Sequence, residues 1–466
     1  MKNKNKILTF LILSATTFTS CQKDPIKYSY SLDTSIFSDY VENKYCRTNI
    51  SSLNDENYPI LAQIKPVLAY NDIEKKESDS INPFNTNVLY TRYAKEKLTS
   101  TKVINSIENI LGEYTATTHY LFDRHYYYFD EDNNLIPNLK VINDSYGTNK
   151  WINIDTRLYQ VLKESIELSK FSKGKFNIFV GELSDLWDRY ISYNNVMYGD
   201  KEDSYKYNED PTSEEVNKCL SETPQPQVED LDTILEFKEN LNNDKYPYQV
   251  KFNKYKNADK VSITLGGIGK GYLTENLYQR YKDNDLTYGM VNAGTSSMVF
   301  FGDRVFSDNW SIALSNPYGV NYQYLGKVKL DNKKYSISTS GAQVNFYYKQ
   351  IGDNIVLRNH IIDPTTGYPN DYYNQILLIS NTISSTKMDA LSTILSNCSF
   401  DEIKDYVTKI RNDNDFGDLE FVFFKKDNPT KEEKVDVYLS KGIQKNKLFT
   451  KSNPTDCKVI YHNLDY

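Results

Sequence analysis

The chain has 466 residues, which is enough for one large or two ordinary globular domains. Its formal net charge is −7, with 55 Lys and Arg against 62 Asp and Glu, and the lysines are scattered along the sequence. Proteins that bind nucleic acid usually carry a clustered basic surface, so we predict no nucleic-acid partner. The 40 Tyr and 21 Phe supply much of the apolar surface that a core requires.

Residues 1–21 have the features of a targeting segment. Three lysines among the first six residues precede an apolar-to-small run over 7–19, which is shorter than the ~20 residues that a membrane-spanning helix needs. The run ends in F-T-S-C at Cys21, which is similar to a bacterial lipobox. We therefore predict a lipoprotein signal over 1–21, a lipid on Cys21, and a location on the extracytoplasmic face of the cell membrane. An ordinary signal peptide is the alternative.

Residues 22–82 are rich in Ser, Asp, Asn and Lys and are predicted to form a polar spacer before a single domain over 83–466. Short strands with several helices between them indicate an α+β fold. The predicted helices are Lys95–Tyr120, Ile152–Leu168, Pro211–Leu220, Val228–Asn243 and Tyr272–Tyr281. The predicted strands are Val88–Tyr93, Tyr248–Phe252, Lys260–Leu265, Tyr288–Asn292, Met298–Phe301, Trp310–Leu314 and Gly326–Leu330.

A glycine-rich stretch, T-L-G-G-I-G-K-G-Y over 264–272, connects a predicted strand to a predicted helix. Such a connection exposes backbone N–H groups at the positive end of a helix dipole, which suits a phosphate group. Lys270 adds a positive charge within the glycines. The spacing matches neither the G-x-G-x-x-G fingerprint nor the P-loop, so a tight turn without a ligand is the alternative.

Two later motifs also contain residues with useful chemistry. The block H-I-I-D-P-T-T-G-Y-P runs from His360 to Pro369, and an imidazole that titrates near neutral pH suits a general base. Asp389 and Thr393 are spaced i, i+4, so a helix would place them on one face. In the alternative interpretation, Asp389 and Thr386 only cap that helix.

Taken in order, the motifs G-G-I-x-K-G-Y, N-A-G, T-S-G, H-I-x-D-P-x-T-G-x-P and D-A-L-S-T resemble those of the FAD:protein FMN transferases, the ApbE family. The resemblance extends from about Asn82 to the C-terminus. It implies an ApbE-like fold with mixed and antiparallel sheets flanked by helices. It also implies Mg²⁺-dependent transfer of FMN from FAD to a Ser or Thr of an extracytoplasmic acceptor protein, through a phosphoester bond and with release of AMP.

The resemblance also implies roles for individual residues. The Gly267 carbonyl, Asp389 and Thr393 would hold Mg²⁺, and His360 and Lys270 would act in catalysis. The implied FAD contacts are Phe84, Phe176, Asn177, Thr264, Lys270, Asn292, Ala293, Gly294, Ser340, Gly341, His360 and Ile361.

The sequence departs from the family pattern at three positions. Asn177 and Thr264 stand where the family usually has Asp, and Thr295 stands where it has Gly. Each change alters a polar group or the room for backbone near the expected nucleotide, so FAD affinity is expected to differ. Two alternative functions therefore stay open: Mg²⁺-dependent hydrolysis of FAD to FMN and AMP, and flavin binding without catalysis.

Overall fold

A computed structural model describes residues 120–466, apart from gaps at 131, 202, 284–287, 294–295, 303–309, 318–323, 332, 342–344, 426–433, 446–448 and 452–457. Before residue 120 it describes the backbone of five strands. Only the backbone is described for residues 281, 288–290, 292, 293, 434 and 445. Cys21, Phe84, Gly294 and nearly all of the predicted helix Lys95–Tyr120 therefore lie outside the described residues.

The described helices flank the sheets and include the short segments Ser204–Lys206 and Val228–Asp230, which are 3₁₀-helical. The α-helices are α1 (Leu139–Asp144), α2 (Thr156–Phe171), α3 (Gly181–Tyr198), α4 (Ser213–Glu222), α5 (Leu231–Ile234), α6 (Gly269–Asp283), α7 (Ser385–Ser396), α8 (Ile403–Asn412) and α9 (Lys441–Lys445).

The described strands are mostly short. They are β1 (Tyr28–Tyr30), β2 (Thr34–Phe37), β3 (Tyr45–Thr48), β4 (Ile60–Ile64), β5 (Leu89–Lys95), β6 (Trp151–Ile154), β7 (Leu235–Glu239), β8 (Tyr248–Phe252), β9 (Tyr288–Ala293), β10 (Ser297–Phe301), β11 (Trp310–Ser315), β12 (Tyr324–Leu330), β13 (Tyr335–Gly341), β14 (Phe346–Ile351), β15 (Asn354–Asn359), β16 (Tyr373–Ser380), β17 (Glu420–Lys425), β18 (Lys434–Leu439), β19 (Phe449–Lys451) and β20 (Lys458–Asn463).

The chain divides into two compact units. The smaller unit comprises Met1–Ala116, Asn276–Trp310 and Asp331–Lys334. Its strands lie in the order β1-β4-β5-β9-β10, with β1 parallel to β4 and the remaining pairs antiparallel. Strands β2 and β3 form a separate antiparallel pair.

The larger unit comprises Thr117–Glu275, Ser311–Leu330 and Tyr335–Tyr466. Its strands β13-β16-β17-β18-β20 lie side by side, antiparallel except for the parallel pair β18 and β20. A second sheet has the order β6-β8-β7, and β14 and β15 form a hairpin. Helix α7 packs on β13 and β16, and its Leu391, Ile394 and Leu395 are fully buried. The continuous apolar run of β17 is buried as well, as expected for a central strand covered on both faces.

The α+β prediction is confirmed, but two predicted elements are wrong. Lys260–Leu265 is not a strand, because its backbone bonds elsewhere: the Asn143 side chain bonds both the N–H and the C=O of Ile263, at 2.8 and 3.1 Å. The Thr264 N–H donates to the Ile178 carbonyl at 2.8 Å. Val228–Asn243 is not one helix either, since it contains the strand β7, whose L-E-F-K-E sequence alternates apolar and polar residues.

The part of the chain that the structure describes contains no helix with both the length and the apolar character required to cross a bilayer.

Candidate active site

Asp389 lies one turn inside helix α7 and is only 3% exposed. The helix is capped by Ser384, whose side chain accepts the Lys387 N–H at 3.3 Å. The interpretation of Asp389 as the cap of its own helix is therefore wrong. Its Oδ2 instead accepts the Gly271 N–H at 2.9 Å, in the first turn of the neighbouring helix α6. Its Oδ1 has no hydrogen-bond partner among the described residues.

Close packing of α6 against α7 makes this contact possible. A Cβ on Gly271 would stand 2.2 Å from the Ser385 carbonyl oxygen and 2.5 Å from the Asp389 Cβ. These distances are shorter than any side-chain carbon tolerates, so glycine is required at this position.

Gly267 and Thr393 also meet in this region. The Thr393 Oγ1 lies 3.2 Å from where a Gly267 Cβ would be, and a ring carbon of Phe176 lies at the same distance. Where the structure is described, the Thr393 hydroxyl makes no hydrogen bond. The predicted metal set thus comes together: a buried carboxylate with a free oxygen, a free hydroxyl one helical turn away, and the Gly267 backbone.

The glycine-rich turn leaves two backbone donors free. The N–H groups of Ile268 and Gly269 bond back to the Leu265 carbonyl, at 3.1 and 2.8 Å, and the Gly266 N–H bonds the Thr264 hydroxyl at 3.3 Å. Within the described chain, the N–H groups of Gly267 and Lys270 have no partner. The Lys270 ammonium donates to the Gly266 carbonyl at 3.1 Å, so a positive charge stands over the same turn. The start of α6 therefore keeps donors and charge suited to an anion.

His360 follows strand β15 directly and is exposed, with its Nδ1 3.4 Å from the Asn345 carbonyl oxygen. Loss of surrounding water, followed by the positive charge of Lys270, lowers the pKa of His360 to about 4, although the Asn345 carbonyl opposes this shift. The ring is therefore neutral near pH 7.

The residues after His360 form the predicted turn. The Gly367 N–H donates to the Asp363 carbonyl at 2.9 Å, and the Thr365 N–H donates to the Asp363 carboxylate at 2.7 Å. The Trp187 indole N–H of α3 donates to the Gly367 carbonyl at 2.7 Å. Ile361 is 8% exposed, and its N–H donates to the Asn359 side chain at 2.7 Å, so its side chain packs inward.

Ser340 and Gly341 end strand β13 beside α7. The Ser392 hydroxyl lies 2.7 Å from the Ser340 hydroxyl and 3.0 Å from the Ser338 hydroxyl, and it donates to the Asp389 carbonyl at 2.8 Å. This hydroxyl cluster joins the T-S-G strand to the helix that carries Asp389 and Thr393.

Phe176 and Asn177 are buried, at 4% and 9% exposure. Asn177 accepts the Phe179 N–H at 2.9 Å and donates to the Pro226 carbonyl at 3.4 Å, so its amide shapes the local turn. Thr264 is half-buried at the start of the glycine turn. Asn292 and Ala293 end strand β9 of the smaller unit, opposite Met298 and Ser297 of β10. Their predicted roles, like those of Phe84 and Gly294, stay predictions.

One residue of this region could not have been predicted as a partner. The Asn143 side chain takes the place of a neighbouring strand for the segment that leads into the glycines, and an Asn at a helix end carries no specific sequence signal. Ser392, which links β13 to α7, does lie in a motif, D-A-L-S-T.

Solved structures share this fold. The flavin transferase ApbE of Vibrio cholerae superposes with a TM-score of 0.52 at 19% identity, covering 77% of this chain and 95% of its own. The ApbE protein of Thermotoga maritima superposes with a TM-score of 0.50 at 24% identity, covering 72% and 91% of the two chains. The fold is therefore that of the ApbE proteins.

Comparison of the amino-acid sequence with known proteins identifies related enzymes and a matching family. The FAD:protein FMN transferase of Buchnera aphidicola is 24% identical over 266 residues, covering 56% of this chain and 67% of the relative. That of Haemophilus influenzae is 25% identical over 302 residues, covering 63% and 78%. The model of the ApbE family matches residues 121–415. This chain belongs to the ApbE family.

Proposed function

We propose that this protein is a FAD:protein FMN transferase that joins FMN from FAD to a Ser or Thr hydroxyl of an extracytoplasmic acceptor protein and releases AMP. The observation that carries the proposal is the Asp389 carboxylate, buried beside Gly267 and Thr393 with one oxygen unused by the described chain. A carboxylate oxygen without a protein partner is available to bind a cation.

The donor set fits Mg²⁺. Among the described residues, no group of three or more His, Cys, Asp or Glu could hold a metal ion. The candidate donors here are one carboxylate, that of Asp389, and the neutral oxygens of Thr393 and Gly267. Mg²⁺ commonly binds in this way, with waters and substrate phosphates completing its shell. Asp389, Thr393 and the Gly267 carbonyl would hold the ion, and it would supply charge neutralisation for a pyrophosphate.

The remaining groups suit the phosphates and the acceptor. The free N–H groups of Gly267 and Lys270 and the Lys270 ammonium would bind phosphate oxygens. His360, neutral because of its lowered pKa, has a free ring nitrogen that would accept the proton of the acceptor hydroxyl.

The reaction balances without an oxidant or reductant. The acceptor oxygen bonds to the FMN-side phosphorus, and the bond from that phosphorus to the bridging oxygen breaks. AMP leaves with that oxygen, and the hydroxyl proton passes first to the base and then to solvent. The product is a phosphoester between FMN and the acceptor.

Incubation with FAD, Mg²⁺ and a Ser/Thr acceptor peptide tests the proposal against both alternatives by liquid chromatography and mass spectrometry. Flavinylated peptide supports transfer. Free FMN and AMP with unmodified peptide would indicate hydrolysis, and unchanged FAD bound to the protein would indicate a flavin carrier.

The basic start, the short apolar run and Cys21 at its end support a further part of the proposal: a lipid on Cys21 tethers the enzyme to the outer face of the membrane. The residues after Cys21 would then connect the anchor to the rest of the protein.

A further inference from the structure

His360 has few direct restraints. Its only side-chain hydrogen bond among the described residues is the long one to Asn345, at 3.4 Å. A base that must meet a hydroxyl in one geometry therefore depends on the backbone that carries it. That backbone enters from β15 and leaves through the turn ending at Tyr368.

Arg358 lies two residues before His360, in a partly buried ion pair. Its Nε and Nη2 both lie 2.9 Å from the Asp210 Oδ2, and the two side chains are each 12% exposed. The other Asp210 oxygen accepts the Tyr347 hydroxyl at 2.9 Å, and Tyr347 is the cross-strand partner of Arg358 in the β14–β15 hairpin. The ion pair thus fixes the strand that leads into His360.

The same guanidinium also reaches the turn that follows His360. It lies over the Trp187 ring at 5.6 Å and over the Tyr368 ring at 5.5 Å, within cation–π range of both. Trp187 holds the Gly367 carbonyl through its indole N–H. Arg358 is therefore in contact with both ends of the segment that carries the imidazole.

We propose that Arg358 is a positioning residue for His360: through Asp210, Trp187 and Tyr368 it fixes the β15 end and the 363–368 turn, and with them the position of the imidazole. The rate consequence of this inference rests on the proposed transfer function, but the placement of the ring does not.

Arg358→Lys tests it, because lysine keeps the charge but lacks the planar fork and the stacking surface. We expect single-turnover transfer to fall by at least about tenfold while the FAD dissociation constant stays within about threefold, since misplacement of a catalytic group acts on the chemical step. Arg411→Lys is the matched control: Arg411 pairs with Glu420 at 3.5 Å and lies over Phe421 at 6.0 Å, on α8. It should transfer at the wild-type rate.

A spectroscopic measurement reports the ring directly. NMR titration of the His360 imidazole, assigned with His360→Gln, should show its pKa rising toward the ordinary 6.5 in Arg358→Lys, because a displaced ring regains water and moves away from Lys270. Arg411→Lys should leave this titration unchanged. If Arg358→Lys does not fold, Arg358→Met combined with Asp210→Asn removes both charges together and takes its place.

Transfer within about twofold of the control and an unchanged His360 titration would overturn the inference. So would a parallel loss of transfer, FAD binding and thermal stability, which indicates a merely structural ion pair. If the wild type transfers no FMN at all, the proposed function fails while the titration still decides the placement of the ring.

Discussion

Asp389 accepts the Gly271 N–H through one carboxylate oxygen and, in the proposed site, would bind Mg²⁺ through the other, and substitutions can separate these two roles. Asp389→Asn keeps an oxygen for the Gly271 N–H, so the free energy of unfolding should fall by no more than about 1–2 kcal/mol. The lost charge should remove Mg²⁺-dependent transfer by orders of magnitude. Asp389→Ala should add about 1–3 kcal/mol of destabilisation, because it leaves a buried N–H unpaired.

Thermal unfolding with and without Mg²⁺, together with the transfer rate, checks this prediction. The control is Asp405→Asn, on the exposed face of α8, which should be neutral in both measurements. Full turnover in Asp389→Asn would leave Asp389 with only the hydrogen bond to α6.

His360 sets a pH dependence whose direction follows from its lowered pKa of about 4. Because the neutral ring acts as the base, single-turnover transfer should be constant from about pH 8 to 5 and fall only as the pH approaches 4. An inflection near 6.5 in the transfer rate would contradict a lowered pKa of His360.

The free energy of unfolding should also decrease as the pH falls, here because protonation of this residue favours the unfolded chain. Between about pH 4 and 6.5 the unfolded chain binds more protons at this residue than the folded chain, so the stability of the folded state decreases as the pH falls through that window. His360→Gln should flatten the curve of unfolding free energy against pH in this range, as measured by urea titration at several pH values.

At the scale of elements, the packing of α6 on α7 determines which glycines of the 264–272 stretch tolerate a side chain. Gly271 does not tolerate one, whereas Gly266 does. Gly271→Ala places a carbon 2.2 Å from the Ser385 carbonyl oxygen, which should separate the helices, cost about 1–3 kcal/mol and abolish Mg²⁺-dependent transfer. Gly266→Ala meets nothing nearer than the Thr264 hydroxyl at 3.6 Å, so it should fold normally. Circular dichroism melts and metal titration of the two variants check the prediction, and equal stability would mean that the helices are not tightly packed.

Elements with a strong local pattern could be predicted from the sequence. Helices α2 and α6 and strands β8 to β12 lie within a few residues of their predicted bounds, because their apolar spacing reflects which face is buried. Lys260–Leu265 has the apolar content of a strand, yet a single side chain, Asn143, occupies its edge. No local pattern shows that a residue 120 positions away makes the hydrogen bonds of this segment's backbone.

The site shows the same division. That Gly267, Asp389 and Thr393 lie in one region could be predicted, because they occur in short motifs and because two of them share a helix face; their role as metal ligands stays a prediction. The Arg358–Asp210 pair could not, since the two residues lie 148 positions apart and neither stands in a motif that names the other. Such a contact becomes visible only in the three-dimensional structure.

At the scale of the whole molecule, the proposed attachment to a membrane depends on Cys21. Mass analysis of the mature N-terminus should show diacylglycerol on Cys21, and Cys21→Ser should release the protein from the membrane or leave the precursor uncleaved. Ser20→Ala, which keeps a small residue before the cysteine, is the control and should be processed normally. Unchanged processing and membrane retention in Cys21→Ser would rule out the lipid anchor.

The ratio of products tests transfer most directly. With FAD, Mg²⁺ and an acceptor peptide, the amount of AMP released should equal the amount of flavinylated peptide, because the bond that frees AMP breaks only as the phosphoester forms. Wild type and Asp405→Asn should both give this one-to-one ratio, and Asp389→Asn should give neither product. AMP formed together with free FMN, with the peptide unmodified, would contradict the account.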